Sequence, residues 1–313
     1  MVESPVSNPP ESMPDGDDIT DLSQGDYPFT GHYFQLGNHR YHYLDEGEGE
    51  PVLMLHGNPS WSIYYRELVH ALRGSHRCLV PDHIGCGLSD KPDDSSYDYT
   101  LSQRVDDLES FLQNLGVEQG ITLIVHDWGG MIGMAYATRH PKAIKRIVIL
   151  NTAAFHLPET KSFPWALWLC RNTKIGAFFV RRFNAFSYLA SHMACKKTPM
   201  SKSLRKAYCA PYDSWNNRIA TLRFVQDIPL RPGDRGYDLI SEVQDSLDQF
   251  KNLPVLICWG MKDFVFDHHF LETWIRYWPH AEVHRFPDCG HYILEDAQDK
   301  IRGLVQGFIE AHP

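Results

Sequence analysis

The chain has 313 residues, 43% hydrophobic and 22% charged, with a formal net charge of -9: room for one large α/β domain with an insertion, or two small domains. That acidic balance excludes nucleic acid as the main partner, and seven cysteines without a C-x-x-C pair read as reduced thiols of a cytoplasmic protein. No apolar run approaches the roughly 18 residues of a membrane-crossing helix, and the N-terminus lacks the basic start and apolar core of a signal peptide.

Residues 1–28 are rich in Pro, Ser, Asp and Glu, and the first basic residue is Arg40. Such a composition buries no core, so an acidic disordered tail is expected there. His32 to Leu36 and Arg40 to Leu44 then alternate around Gly37-Asn38, a hairpin signal. Pro51 to Leu55 is a short apolar strand entering His56-Gly57-Asn58-Pro59-Ser60-Trp61, and Arg77 to Val80 is the next strand. Thr100 is placed to cap a helix in which Leu101, Val105, Leu108, Leu112 and Leu115 share one face.

Ile121 to Val125 is a β-branched run that passes through His126-Asp127 into Trp128-Gly129-Gly130-Met131 and a helical spacing up to His140. A strand turning at once into a helix, with glycines in the turn, is the nucleophile elbow of α/β-hydrolases, here with Asp127 where serine usually stands. Serine needs a base to attack acyl carbon. A carboxylate is already anionic and can displace a leaving group from saturated carbon, giving an ester that water then attacks. On its own, Asp127 would read as a helix N-cap; the flanking histidine and Trp-Gly-Gly argue for the nucleophile.

Ile144 to Leu150 supplies a further strand, and Phe155 to about Arg231 breaks the alternation with an aromatic, basic block free of strand signals. The pattern resumes with Val255 to Trp259, a helix from about Asp267 to Trp278, the strand Glu282 to Phe286 and a last helix to about Ile309. These elements predict an α/β-hydrolase fold: a mostly parallel central sheet, built from residues 29–154 and 232–313, with an inserted helical cap over 155–231. The pocket is expected between cap and sheet, beyond the strand C-termini. The stretch Phe163 to Phe186 is read as a cap helix turning its apolar side to the pocket and a basic face outward, in preference to a surface lying on a membrane or partner. Apolar cap surface leaves self-association open.

In this fold order the catalytic histidine follows the final strand, which selects His291 in Asp288-Cys289-Gly290-His291-Tyr292 as the base. The carboxylate that orients it can follow either of two strands. Asn151-Thr152 offers no acid at the first, so Asp263, in Trp259-Gly260-Met261-Lys262-Asp263, takes the role. Asp267, its rival, reads as a helix N-cap. The departing anion needs donors, and the Trp128 indole and the Asn58 amide supply them, with the backbone N–H groups of the same two residues as an oxyanion hole. Seventeen scattered histidines, with His268-His269 the one adjacent pair, give a metal site little support. Gly85-x-Gly87 lacks the third glycine of a dinucleotide site, and no cofactor is implied.

These motifs together resemble the haloalkane dehalogenase family from about Tyr33 onward. The likeness is greatest to its third subfamily, which carries an Asp-His-Asp triad with an Asn-Trp halide pair; the matching residues are Asp127, His291, Asp263, Asn58 and Trp128. Epoxide hydrolases share His-Asp-Trp-Gly-Gly but usually have Phe at the position of Asn58, and they use two cap tyrosines, for which Tyr208 and Tyr212 could be cast. Pro81-Asp82-His83-Ile84-Gly85, Leu150-Asn151-Thr152-Ala153-Ala154-Phe155, Phe183-Asn184-Ala185-Phe186 and Asp263-Phe264-Val265-Phe266-Asp267-His268-His269-Phe270 are similar to bacterial β-lactone decarboxylases of long-chain olefin synthesis. The resemblance implies a small apolar substrate, haloalkane or alkyl β-lactone, with the lactone preferred as the physiological one. Epoxide hydrolysis and a non-catalytic α/β-hydrolase scaffold are the alternatives.

Overall fold

The computed structural model describes residues 27–313. The acidic tail expected over 1–28 therefore lies, except for its last two residues, outside the described residues. Tyr27 departs from that expectation: it is buried, its ring 4.8 Å from Trp61 and its hydroxyl 2.6 Å from Ser62 Oγ.

β1 (His32–Leu36) and β2 (His39–Glu46) form the expected hairpin, Leu36 opposite His39, with Gly37 in the left-handed conformation that a two-residue turn requires. β3 (Glu50–Leu55), β4 (His76–Pro81), β5 (Ile121–Asp127), β6 (Ile144–Thr152), β7 (Val255–Gly260) and β8 (Glu282–Phe286) come next. All eight join one sheet in the order β1-β2-β4-β3-β5-β6-β7-β8, antiparallel only where β2 meets β1 and β4. The helices are α1 (Arg66–Leu72), α2 (Leu101–Asn114) and α3 (Trp128–Arg139), then α4 (Trp165–Asn172), α5 (Lys174–Phe183), α6 (Ala185–Met193), α7 (Lys202–Cys209), α8 (Ile219–Gln226) and α9 (Tyr237–Asp245) between β6 and β7. α10 (His268–Tyr277), α11 (Ile293–Asp296) and α12 (Gln298–Ala311) complete the chain.

Along the central strands, alternate side chains enter two separate cores, as the period of a pleated strand dictates. Leu53, Leu123, Val125, Ile147 and Ile257 pack with residues of α2, α3, α9 and α10, while Val52, Met54, Ile124, Val148 and Leu256 pack with α1, α11 and α12. The caps read from the sequence are formed: Thr100 accepts from Gln103 N–H at 3.2 Å and Asp267 from His269 N–H at 3.1 Å. α1 was not anticipated. It is short, and its anchor, Arg66 gripping Glu295 with Nη2···Oε2 at 2.8 Å, joins positions too far apart for local pattern to reveal.

α5 also departs from expectation. Ile175, Phe178, Phe179 and Phe183, an i, i+3, i+4, i+8 stripe, are exposed, whereas Gly176 and Val180 are buried. The small face is the one that packs: a Cβ on Gly176 would sit 2.4 Å from the Leu169 carbonyl oxygen, so α5 lies against α4 through glycine and leaves Phe178 and Phe183 outward, while Phe179 and Val180 also meet the cavity, as expected of the apolar side.

Candidate active site

β5 ends on Asp127 at φ 50°, ψ -124°, a strained conformation for a residue with a side chain, and α3 starts at the next residue. The helix start lies close to the neighbouring strand β3 because Gly129 has no side chain: a Cβ there would lie 1.9 Å from the Leu55 carbonyl oxygen. The Thr152 hydroxyl donates to the Asp127 carbonyl and braces the bend from β6. The buried Asp127 carboxylate presents its two oxygens to different surroundings. Oδ1 accepts from the Asn58 N–H at 2.7 Å, the Trp128 N–H also bonds the carboxylate, and Oδ2 faces His291 Nε2 at 3.7 Å. Burial pushes the carboxyl above its ordinary value, with His291 and the two N–H donors pulling the other way.

His291 lies beyond β8. Its Nδ1 donates to Asp263 Oδ2 at 2.7 Å, which leaves the Nε2 lone pair of the neutral ring directed toward Asp127. Burial opposes the imidazolium, but the charge and hydrogen bond of Asp263, with Asp127 behind them, carry His291 above the usual histidine value. Asp263 sits after β7 with donors on every side: Val265 N–H at 2.7 Å and Phe266 N–H at 3.1 Å on Oδ1, and Asn151 Nδ2 at 3.0 Å on Oδ2. The structure thus brings Asp127, His291 and Asp263 together in the order expected of them. Asp267 instead caps α10 and takes the Lys161 ammonium at 2.6 Å. It comes within 4.8 Å of His268 and His269 ligand atoms, but the lysine already occupies the charge that would attract a cation.

Asn58 and Trp128 both line a cavity of about 270 Å³ between the sheet and helices α4, α5, α6 and α8, with Asp127 and His291 at its floor. The rest of the wall is apolar apart from Cys170, and Phe155, Leu167, Val180, Phe186, Val225 and Phe266 are typical of it. The Asn58 amide spends one N–H on the Thr221 carbonyl at 3.0 Å, a tie that fixes its plane and leaves the second N–H free for a ligand. Among the described residues nothing accepts from the Trp128 indole. Tyr208 donates to Glu295 at 2.5 Å and Tyr212 to the Ser60 carbonyl at 3.2 Å, so neither tyrosine reaches the cavity.

Two supporting residues were missed from sequence. Asn151, in the left-handed region at φ 35°, accepts from Gly260 N–H at 2.7 Å and donates to Asp263, locking β7's loop in place. Its signal was legible only as a missing acid. His126 donates through Nε2 to the His291 carbonyl at 2.9 Å, tying the strand of the aspartate to the loop of the histidine.

A family model described as alpha/beta hydrolase fold matches residues 50–298. The chain is 62% identical, over 90% of its length and 89% of that protein's, to a cis-3-alkyl-4-alkyloxetan-2-one decarboxylase of Shewanella oneidensis, and 50% identical, over 87% and 92%, to one of Xanthomonas campestris pv. campestris. It is 30% identical to haloalkane dehalogenase 2 of Mycobacterium bovis, over 89% of this chain and 94% of that one. Among solved structures, the haloalkane dehalogenase DatA of Agrobacterium tumefaciens C58 superposes with a TM-score of 0.82 at 21% identity, covering 91% of this chain and 97% of its own, a likeness of fold.

Proposed function

The chain belongs to the α/β-hydrolase family, and from that premise we propose that it is an enzyme in which Asp127 forms a covalent bond to substrate carbon, with a cis-3,4-dialkyl β-lactone as its substrate. The observation that carries this reading is the asymmetry of the Asp127 carboxylate. Oδ1 is held by the Asn58 N–H, with the Trp128 N–H also on the carboxylate, and Oδ2 faces the His291 imidazole at the floor of an apolar cavity.

The chemistry comes from that placement. Asp127 Oδ2 attacks the saturated ring carbon C4 from the side opposite the ring oxygen. The C4–O bond breaks, and the charge it releases is the lactone's own carboxylate, stabilised by the Trp128 indole N–H and the free N–H of Asn58. The C3–carboxylate bond then breaks, its electron pair forms the C3=C4 double bond, the Asp127 carboxylate departs from C4, and CO2 leaves. Inversion at C4 and then anti elimination keep both alkyl groups on one side, so a cis lactone yields a cis alkene. No water is consumed.

A haloalkane would enter the same site differently at one point only. Halide leaves toward Asn58 and Trp128, the alkyl ester on Asp127 has no carboxylate to lose, and His291, oriented by Asp263, activates water to hydrolyse it. Dehalogenation is therefore a second reaction within reach of the same five residues. Tyr208 and Tyr212, turned away from the cavity, count against epoxide hydrolysis. The seven cysteines are all free, which supports a cytoplasmic location, and no helix among the described residues is long and apolar enough to cross a membrane. Incubation with a long-chain cis-β-lactone and separately with 1-bromobutane, monitoring alkene and bromide, tests the assignment: alkene is expected as the faster product, and bromide release without alkene would overturn the lactone.

A further inference from the structure

The outward stripe of α5 is part of a larger exposed surface. Trp165 is 79% exposed, Ile175 66%, Phe183 55% and Phe178 48%, with Trp168, Tyr188 and Trp215 exposed beside them. Phe178 contacts Phe179, Phe183 and Trp215 edge-on or tilted, at ring separations of 6.1, 6.0 and 6.2 Å, so these rings form one cluster. Basic groups interleave with them. Arg181 stacks over Trp215 at 4.7 Å and Arg182 over Phe183 at 5.3 Å, and neither Lys174 nor Arg182 has a carboxylate partner among the described residues.

Charge is distributed to match. Residues 155–231 hold 13 Lys and Arg against 3 Asp and Glu, while the rest of the chain holds 17 against 36. A helix with Phe and Ile on one face, Lys and Arg at its margins and no deep core of its own is the pattern of a segment lying in a bilayer interface.

We propose that this face of the cap docks on the surface of a membrane containing anionic lipid, with the cavity mouth turned toward the bilayer. Phe179, Leu189, Met193 and Phe264 are each about half exposed and also line the cavity, so whatever covers the aromatic patch covers the entrance. Docking would let a dialkyl substrate dissolved in the lipid pass to Asp127 without crossing water; that route rests on the proposed function, whereas the docking itself does not. A second copy meeting the same patch would set Lys174 and Arg182 near their own counterparts, which disfavours self-pairing.

Flotation of the full-length protein with vesicles of phosphatidylcholine alone, and of phosphatidylcholine with phosphatidylglycerol, reads this directly. The protein is expected to float with the anionic vesicles, less with the neutral ones, and less again at high salt. Trp165→Ser with Phe178→Ser and Phe183→Ser, all outside the cavity lining, should lower the bound fraction by about tenfold or more while thermal melting and turnover of 1-bromobutane stay at the wild-type level. Lys174→Glu with Arg182→Glu should remove the preference for anionic vesicles. Absence of flotation, equal flotation of the triple variant, or a dimer that the triple variant dissolves without any vesicle binding would each overturn the proposal. Flotation is measured without substrate, so failure of the enzymatic reading leaves this result untouched.

Discussion

Replacing Asp263 with asparagine keeps shape and removes charge, and the hydrogen bonds around Asp263 set the penalty. Its two oxygens accept from Val265 N–H, Phe266 N–H, Asn151 Nδ2 and His291 Nδ1, at 2.7, 3.1, 3.0 and 2.7 Å. An asparagine must set its NH2 against donors whichever way it turns. On the Oδ1 side it faces two backbone N–H groups; on the Oδ2 side it faces Asn151 and forces His291 to accept through Nδ1. The cost in stability is about 2 kcal/mol for the mismatched buried donors, seen in a chain of this size as a melting temperature lower by roughly 3 °C. The cost in catalysis is greater. With Nδ1 accepting, the proton moves to Nε2, the base toward Asp127 is lost, and bromide-linked alcohol formation should fall by about a thousandfold or more.

The pH profile carries the same argument. On the proposed mechanism His291 must be neutral to activate water, and in the free enzyme its value lies above the ordinary one because Asp263, with Asp127 behind it, outweighs burial. Turnover of a haloalkane is therefore expected to rise with pH through a midpoint above about 6.5 and to be lost below it. Without the Asp263 charge, burial is the largest remaining influence, and the midpoint of any residual activity shifts down. Steady-state alcohol formation between mildly acidic and mildly basic pH, with thermal melting alongside, measures both. A variant within tenfold of wild type and with an unshifted midpoint would refute the role given to Asp263.

Three further outcomes are expected. Gly57→Ala would place a Cβ 2.0 Å from Asp127 Oδ1, so turnover should be abolished while circular dichroism remains that of a folded protein, because the conflict is with the carboxylate rather than with the sheet. Trp128→Phe keeps the packing on Phe224 but removes the indole donor; bond breaking to the leaving group should slow by about 10²–10³, judged by single-turnover kinetics. In water labelled with heavy oxygen, repeated turnover of 1-bromobutane should place label in the Asp127 carboxylate, whereas repeated turnover of the lactone should leave it unlabelled, since elimination returns both oxygens intact. Label entering during alkene formation would rule out the elimination route.

How much of this was legible in the sequence depends on the range of the interaction. Strands such as Ile121–Asp127 and caps such as Thr100 are local, set by β-branched runs and by one side chain meeting a nearby N–H. The five candidate site residues were legible because each stands at a chain position that the strand order dictates. What escaped was held by partners distant in the chain. Arg66 steadies α1 through Glu295, Asn151 steadies Asp263 through Gly260, and Thr221 fixes the Asn58 amide, and none leaves a periodic trace. The outward stripe of α5 escaped for another reason. Its periodicity is that of any amphipathic helix, and only the packing of Gly176 against α4 decides which side faces in.

The proposed covalent step can be tested by blocking its release. His291→Ala incubated with 1-bromobutane, quenched and digested, should show the peptide containing Asp127 heavier by one butyl group, with the mass located on the Asp127 side chain by fragmentation. An unmodified Asp127 after stoichiometric bromide release, or a butyl group found on a different residue, would contradict the account.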